Sequence, residues 1–448
     1  MNGKQTIIAL LLLFIVFNPG CDNVTSSDTY GISDKKFEDL NISLEFDFET
    51  SKTIEQNELE KIIALYSHTA YDTSYIGKFL NSDVMNVKIK GASEGAFNYT
   101  LPNIMANQLK SKSTKLIICH IPPGNPDNAH TIEISENAWP AHRDNHGDYL
   151  GVCDGDDSSD YDGDGVNNST DDFPYDSTLA YKSYYPGEGQ MATLLFEDMW
   201  PQKGDYDFND FVVNYNIQYN KTPSGDIKEI EYSYKVDAIG GTKESSFFIR
   251  LFNNGSPLNS AQIESVSGND ISHGFASTNA NGSESGTSEA VIPIIDNTRN
   301  AFDGYDSNDL INVLDSQTYV TADTDTVKIV LISAFTTLQI DPFIVTDFDR
   351  SVEIHLTNYG PTSKANQSLF GTNDDATNIG NDFYYKTSNG YPWGLNVAEE
   401  IAYPKENYDF AQTYINFGNW AENLGNVSTD WYVQIESNYV QSRLFQKE

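Results

Sequence analysis

Strict alternation is the feature that most constrains this chain. In Ile230-Glu231-Tyr232-Ser233-Tyr234-Lys235-Val236 apolar and polar residues trade places at every step. A β-strand has a side-chain period of two, so it collects such a set on one face, and a helix cannot. Phe247-Phe248-Ile249-Arg250-Leu251-Phe252 and Val327-Lys328-Ile329-Val330-Leu331-Ile332 are more continuous runs, suited to buried strands, with Gly-, Asn- and Ser-rich turns between them. Residues 180–448 therefore predict a large β-sandwich, jelly-roll-like, in a mainly β protein. One amphipathic helix is expected late, with Phe410, Tyr414, Phe417, Ala421 and Leu424 on a shared face.

The N-terminus reads differently. Lys4 precedes an apolar run from Ile7 to Phe17, too short to span ~30 Å of hydrocarbon, which needs about 20 residues. It fits the apolar core of a secretory signal peptide over residues 1–20. Asn18-Pro19-Gly20-Cys21 then resembles the lipobox of bacterial lipoproteins, with Asn18 where that family usually carries Leu. The resemblance implies that Cys21 is lipidated, becomes the mature N-terminus and anchors the chain to a membrane. Cys119 and Cys153 remain, and an even pair outside the cytoplasm predicts one disulfide, stabilising by about 3–4 kcal/mol.

Between the anchor and the sandwich the pattern is mixed. Residues 21–40 read as a polar tether, and 41–116 as a small N-terminal α+β or β domain. There Ile42–Phe48 alternates like a strand. Thr53 and Gln56 form a capping box for a helix over Ile54–Ser67, and Val87–Lys90 is a short strand. Residues 117–153 form a Cys/His module, and 154–176 an acidic loop.

Charge narrows the function. Sixty-five Asp and Glu stand against 27 Lys and Arg, a formal charge of −38, which excludes a conventional nucleic-acid binder. With 39% hydrophobic and 12% aromatic residues the chain is not a disordered acidic polymer either. Nine Asp and no Lys or Arg fall between Asp154 and Asp176. Taking Asp160 as position one of a twelve-residue loop, carboxylates fall at Asp160, Asp162 and Asp164, and Gly165 allows the sharp turn. Val166 offers its carbonyl, Asn168 sits at nine and Asp171 closes the loop. That spacing wraps the chain around Ca²⁺, which takes six to eight oxygens. With Phe173-Pro174 following, the stretch resembles a thrombospondin type 3 repeat, which implies acidic chain folded around calcium.

Two further groups of residues suggest metal chemistry. His120, His130, His142 and His146 lie in the module bounded by Cys119 and Cys153. On a helix His142 and His146 would share a face and could bind zinc. The glutamate of a metalloprotease helix is absent, because Arg143 follows His142. Farther on, acidic and aromatic residues interleave through Glu197-Asp198-Met199-Trp200-Pro201-Gln202-Lys203-Gly204-Asp205-Tyr206-Asp207-Phe208-Asn209-Asp210. Asp205, Asp207 and Asn209 alternate to one side, where their oxygens could meet a second calcium ion.

This segment resembles the signature of the LruC-type domain of bacterial, often lipid-anchored, envelope proteins. The likeness continues through Phe348–Leu356, Leu369–Asp375 and Tyr391–Asn396 to the late helix. It implies a β-rich extracellular domain and no particular activity. The expected function is a calcium-stabilised, lipid-anchored protein of the outer membrane or cell surface with a non-enzymatic binding or adhesion role. Its ligand would be a glycan or a protein. The alternative is a glycan-binding module, with Trp200, Trp393, Trp420 and Trp431 as candidate platforms, or a glycoside hydrolase or lyase.

Overall fold

The computed structural model describes residues 35–48, 50, 52–55, 86–90, 96–100, 115–123, 129–135, 138–139, 141–142, 148–150, 160, 162–305, 309–357, 359–435 and 437–447. The signal peptide, Cys21, His146, Cys153 and most of the helix expected at Ile54–Ser67 lie outside them. Two small sheets come first. β1 (Lys52–Glu55) pairs in parallel with β2 (Asn86–Lys90), which pairs antiparallel with β3 (Ala96–Thr100). Thr53 therefore lies within a strand and does not cap a helix, whereas Val87–Lys90 is a strand as expected. β4 (Lys115–His120) is flanked by β5 (His130–Ser135) and β6 (Tyr149–Leu150).

The large unit runs through β7 (Tyr181–Tyr185), β8 (Ala192–Phe196), β9 (Phe211–Lys221), β10 (Ile227–Ala238), β11 (Ser245–Asn253) and β12 (Ser256–Pro257). It continues with β13 (Ile263–Ser267), β14 (Val291–Ile295), β15 (Asp325–Phe335), β16 (Gln339–Thr346), β17 (Glu353–His355) and β18 (Gly394–Val397). One antiparallel sheet has the order β13-β15-β10-β9-β8-β18, with β7 also on β9. The other has the order β12-β11-β16-β17, with β14 also on β11. Their inner faces form the main core of a β-sandwich. Tyr232 and Tyr234 of β10 face Phe247, Ile249 and Leu251 of β11 there, as the alternation requires. Val327, Ile329 and Leu331 join this core, but Ile332 is exposed, so β15 is buried on one face only.

A second core covers the outer face of the first sheet at its β8–β18 end. Neighbouring residues part company here: Leu194 enters the main core and Leu195 the second, and likewise Phe211 and Val212. The cover is an aromatic lobe from the C-terminal part of the chain. The late helix is two short pieces, α1 (Phe410–Thr413) and α2 (Phe417–Glu422). Tyr414 breaks it by turning extended, with its hydroxyl donating to the Ala402 carbonyl at 2.6 Å. Phe410, Tyr414, Phe417 and Ala421 are buried together, but Leu424 has a positive φ and points to solvent.

Residues 37–48 close this second core. They form no strand at Ile42–Phe48; instead Phe37, Leu40, Ile42, Phe46 and Phe48 are inserted into the C-terminal lobe. Phe37 stacks on Tyr206 at 4.8 Å, and Phe46 meets Trp420 edge-on at 4.7 Å. The Tyr391 hydroxyl donates to the carbonyl of Leu40 at 2.8 Å, and Lys386 to that of Leu44 at 3.0 Å. The spacing there is that of a strap laid over aromatic rings: Ile42, Phe46 and Phe48 enter the core, whereas Leu44 is exposed.

On the outer face of the second sheet a charged network is buried. Arg250 donates through Nε and Nη2 to Asp341 Oδ2, at 3.1 and 2.9 Å. His355, fully buried, lies between Asp341 on Nδ1 at 2.9 Å and Glu353 on Nε2 at 3.0 Å. Arg350 pairs with Glu284 and Glu353, and Lys364 with Glu284. Burial alone pushes His355 down, but Asp341 and Glu353 outweigh it and hold the imidazole above its usual value. Burial likewise raises Glu353, but His355 and Arg350 bring it down to about 2. Arg250→Ala would leave Asp341 with His355 as its remaining charged partner and take the guanidinium from Glu289, and the expected loss is about 3–5 kcal/mol in chemical denaturation. Because His355 is raised on folding, its contribution is complete below about pH 6.5 and lost as pH rises through the folded value. The loss of stability from about pH 6.5 upward should therefore shrink in His355→Gln, measured as urea midpoints against pH.

Candidate metal centres

The acidic loop folds on its own carboxylates. Asp160 Oδ1 accepts from the Gly163 amide at 2.7 Å and Oδ2 from the Gly165 amide at 2.9 Å. Asp164 Oδ1 accepts from Val166 N at 2.7 Å, and Asp171 Oδ1 from Phe173 N at 2.6 Å. Gly163 and Gly165 both take positive φ, which the tight winding requires. In each of Asp162, Asp164 and Asp171 the other oxygen, Oδ2, is buried without a partner. Carboxylate oxygens of Asp160, Asp162 and Asp164 lie within 4.8 Å of one another, a spacing that suits Ca–O bonds of about 2.3–2.6 Å. The Gly165 amide is the main cause holding Asp160 below the usual range, whereas desolvation, Asp164 and Asp171 push Asp162 up. Val166 is buried, and the segment after the loop is tied to β7 by Lys182 N on Asp172 Oδ2 at 2.7 Å. The all-oxygen donor set fits a calcium ion.

A second group lies where β8 turns towards β9. Asp205 and Asp207 come together there with Glu197, their oxygens within 4.8 Å of one another. Glu197 was not among the expected ligands. The only sequence signal for it is an acid placed directly after the buried run Ala192–Phe196, where no charge should be left alone. Its side chain is completely buried; Oε1 accepts from Phe208 N at 2.8 Å and Oε2 has no partner. Asp207 is buried too, accepting from Asn209 N at 3.2 Å and Asn407 N at 3.0 Å. Asp205 is at the solvent rim. Asn209 is buried, with Nδ2 on the Pro404 carbonyl at 3.2 Å and Oδ1 unpartnered. Burial, then Asp210 and its neighbours, push Glu197 well above the carboxylate range; burial, then Asp205, bring Asp207 to about 9. Ionised together, three carboxylates within 4.8 Å would repel by roughly 3 kcal/mol per pair at an effective dielectric of about 20, which adds to burial in holding their protons so firmly.

The third group belongs to the Cys/His module. Asp148, buried, accepts on Oδ2 from His120 Nδ1 at 2.8 Å and His142 Nδ1 at 2.6 Å, and on Oδ1 from Ile121 N at 2.8 Å. Burial raises this carboxyl, but the two histidines and the Ile121 amide overcome it and bring it down to about 2. A carboxylate on Nδ1 is how metal-binding histidines are commonly oriented. His142 is thus joined to His120 through Asp148. Cys119 is buried at the centre of this small sheet.

The four tryptophans do not serve as platforms. Trp200, Trp393, Trp420 and Trp431 are each no more than 2% exposed and fill the two cores. Sequence cannot distinguish a ring awaiting a sugar from one awaiting a neighbour, because both need the same apolar face.

Residues 225–432 match the model of a family described as a domain of unknown function (DUF4842). The chain is also similar to the crystal structure of a "Putative lipoprotein from Bacteroides ovatus". That likeness has 18% identity and a TM-score of 0.43, covering 60% of this chain and 76% of that one. No curated protein matches.

Gly204 packs against the second group so closely that a Cβ there would meet Glu197 Oε2 at 1.4 Å. Gly204→Ala is therefore expected to cost about 1–3 kcal/mol. Gly225→Ala, at positive φ in open space, should lose only the smaller strain of its turn, about 1 kcal/mol. Thermal melts of the two variants compare them.

Proposed function

We propose that this is a calcium-stabilised, lipid-anchored protein of a bacterial outer membrane or cell surface, whose β-sandwich serves a non-enzymatic binding or adhesion role. The observation that carries the calcium reading is the set of inward oxygens on Asp162, Asp164 and Asp171, each buried and without a partner. A carboxylate in that state needs a cation or a proton. Their companion oxygens already accept backbone amides, so a cation satisfies the set without disturbing the loop. Asp160, the Val166 carbonyl and Asn168 are the further ligands in this reading.

The anchor is lipidated Cys21, and Cys119 pairs with Cys153 in the oxidising space beyond the inner membrane. Among the described residues no helix is long and apolar enough to cross a membrane. Fifteen residues separate Cys21 from Phe37, a reach of about 50 Å when fully extended. The strap joins the large sandwich directly, so the anchor holds that unit close to the bilayer. An LruC-type domain in this position presents its surface to a glycan or protein partner. The His120–Asp148–His142 group is a candidate zinc site, with His146 as a further ligand.

Differential scanning calorimetry of the purified protein, with calcium and with chelator, tests the reading. Calcium should raise the melting temperature by several degrees, corresponding to about 2–3 kcal/mol at a hundredfold excess over Kd. Asp162→Asn with Asp164→Asn should remove most of the part of that rise due to the loop. Equal melting temperatures with and without calcium, together with no calcium uptake, would sink the proposal.

A further inference from the structure

The buried group at Glu197 is a site in its own right, separate in sequence and structure from the 160–171 loop. We propose that Glu197, Asp205 and Asp207, with Asn209 Oδ1 as a fourth oxygen donor, hold a second calcium ion that fastens the N-terminal strap to the sandwich.

Glu197 is the decisive residue. It is completely buried, one of its carboxylate oxygens lies within 4.8 Å of those of Asp205 and Asp207, and Oε2 has no hydrogen-bond partner. Its Oε1 is taken by the Phe208 amide, so Oε2 is the oxygen left without a donor. Asp207 is buried as well, and its two oxygens accept amides from Asn209 and Asn407. No Lys or Arg pairs with Glu197, Asp205 or Asp207 among the described residues. A divalent cation answers all of these at once, and the donors are oxygens only, which selects a hard ion. Gly204 lies against Glu197 Oε2 and Gly240 against Asn209 Oδ1, so neither position has room for a Cβ.

The placement of the group supplies its consequence. The residues alternating with the ligands, Tyr206 and Phe208, both take positive φ and send their rings into the second core. There Phe37 of the strap stacks on Tyr206, with Phe208 at 5.3 Å. Lys203, two residues before Asp205, pairs with Glu38 of the strap. Phe410 N donates to the Tyr206 carbonyl at 2.8 Å, so the lobe under the strap grips the same loop. A cation holding Asp205 and Asp207 against Glu197 thus fixes the aromatic pair on which Phe37 rests. Without it, three repelling carboxylates push that loop away from β8 and loosen the strap.

The experiment uses the full chain purified in detergent and counts calcium by equilibrium dialysis. Amide hydrogen exchange over residues 37–48 is followed in parallel. The Asp162→Asn, Asp164→Asn double variant should still bind calcium, and calcium should slow exchange in 37–48 by at least roughly tenfold. Glu197→Gln should lose one calcium ion and that protection while keeping the loop ion. In chelator it should melt higher than the parent, because a repelling charge has gone. Asp205→Asn, at the rim, should bind the ion more weakly and provides the same count if Glu197→Gln does not fold. An unchanged calcium count in both Glu197→Gln and Asp205→Asn, or exchange in 37–48 indifferent to calcium in the double variant, would overturn the proposal. An unchanged count in the double variant alone counts against the loop site and leaves this one standing.

Discussion

Carboxylates that leave water must be met by positive charge, and the architecture of this protein turns on how it meets that demand. It does so in two ways. On the outer face of the second sheet the counter-charges are its own: Arg250, Arg350, Lys364 and His355 against Asp341, Glu353, Glu284 and Glu289. That network can be buried because each ion has a partner of the opposite sign within hydrogen-bond reach. At the acidic loop and at Glu197 the chain brings acids together with no Lys or Arg paired to them among the described residues, so a cation or a proton is needed to neutralise them. Of the −38 net charge, much is dispersed over the surface, where it serves solubility. The informative part is the small share that the fold buries.

The Glu197 group also stands at the joint of the molecule. β8 and the start of β9 are buried on both faces, one towards the sandwich core and one towards the aromatic lobe. The loop between them carries Tyr206 and Phe208 into the lobe and Asp205 and Asp207 towards Glu197. The strap at 37–48 closes over those same rings, bringing an N-terminal part of the chain against the C-terminal lobe. Contacts such as Phe37 on Tyr206 span a long stretch of sequence. They therefore form only after the sandwich has assembled a surface to receive them.

Much of the sandwich was legible in the sequence. Alternation in Ile230–Val236 places Ile230, Tyr232, Tyr234 and Val236 inside, because a strand has only two faces and one of them is apolar. Loop chemistry was legible too: Asp160, Asp162 and Asp164 converge because their spacing is local and the glycines allow only a tight winding. The strap was not. Ile42–Phe48 alternates as a strand does, and nothing local distinguishes pairing with a strand from lying across a distant aromatic lobe. The late helix illustrates the same limit, since its break at Tyr414 follows from a hydroxyl reaching Ala402, not from any helix-breaking residue.

Sequence by itself determined the class of fold and the loop that winds on its own aspartates, since each depends on neighbours in the chain. Tertiary structure alone decided that Glu197 joins Asp205 and Asp207, that His120 joins His142 through Asp148, and that four tryptophans are core. Burial is the physical reason. Whether a carboxylate or an indole meets water, a partner or an ion depends on what distant segments pack against it, and local spacing does not encode that.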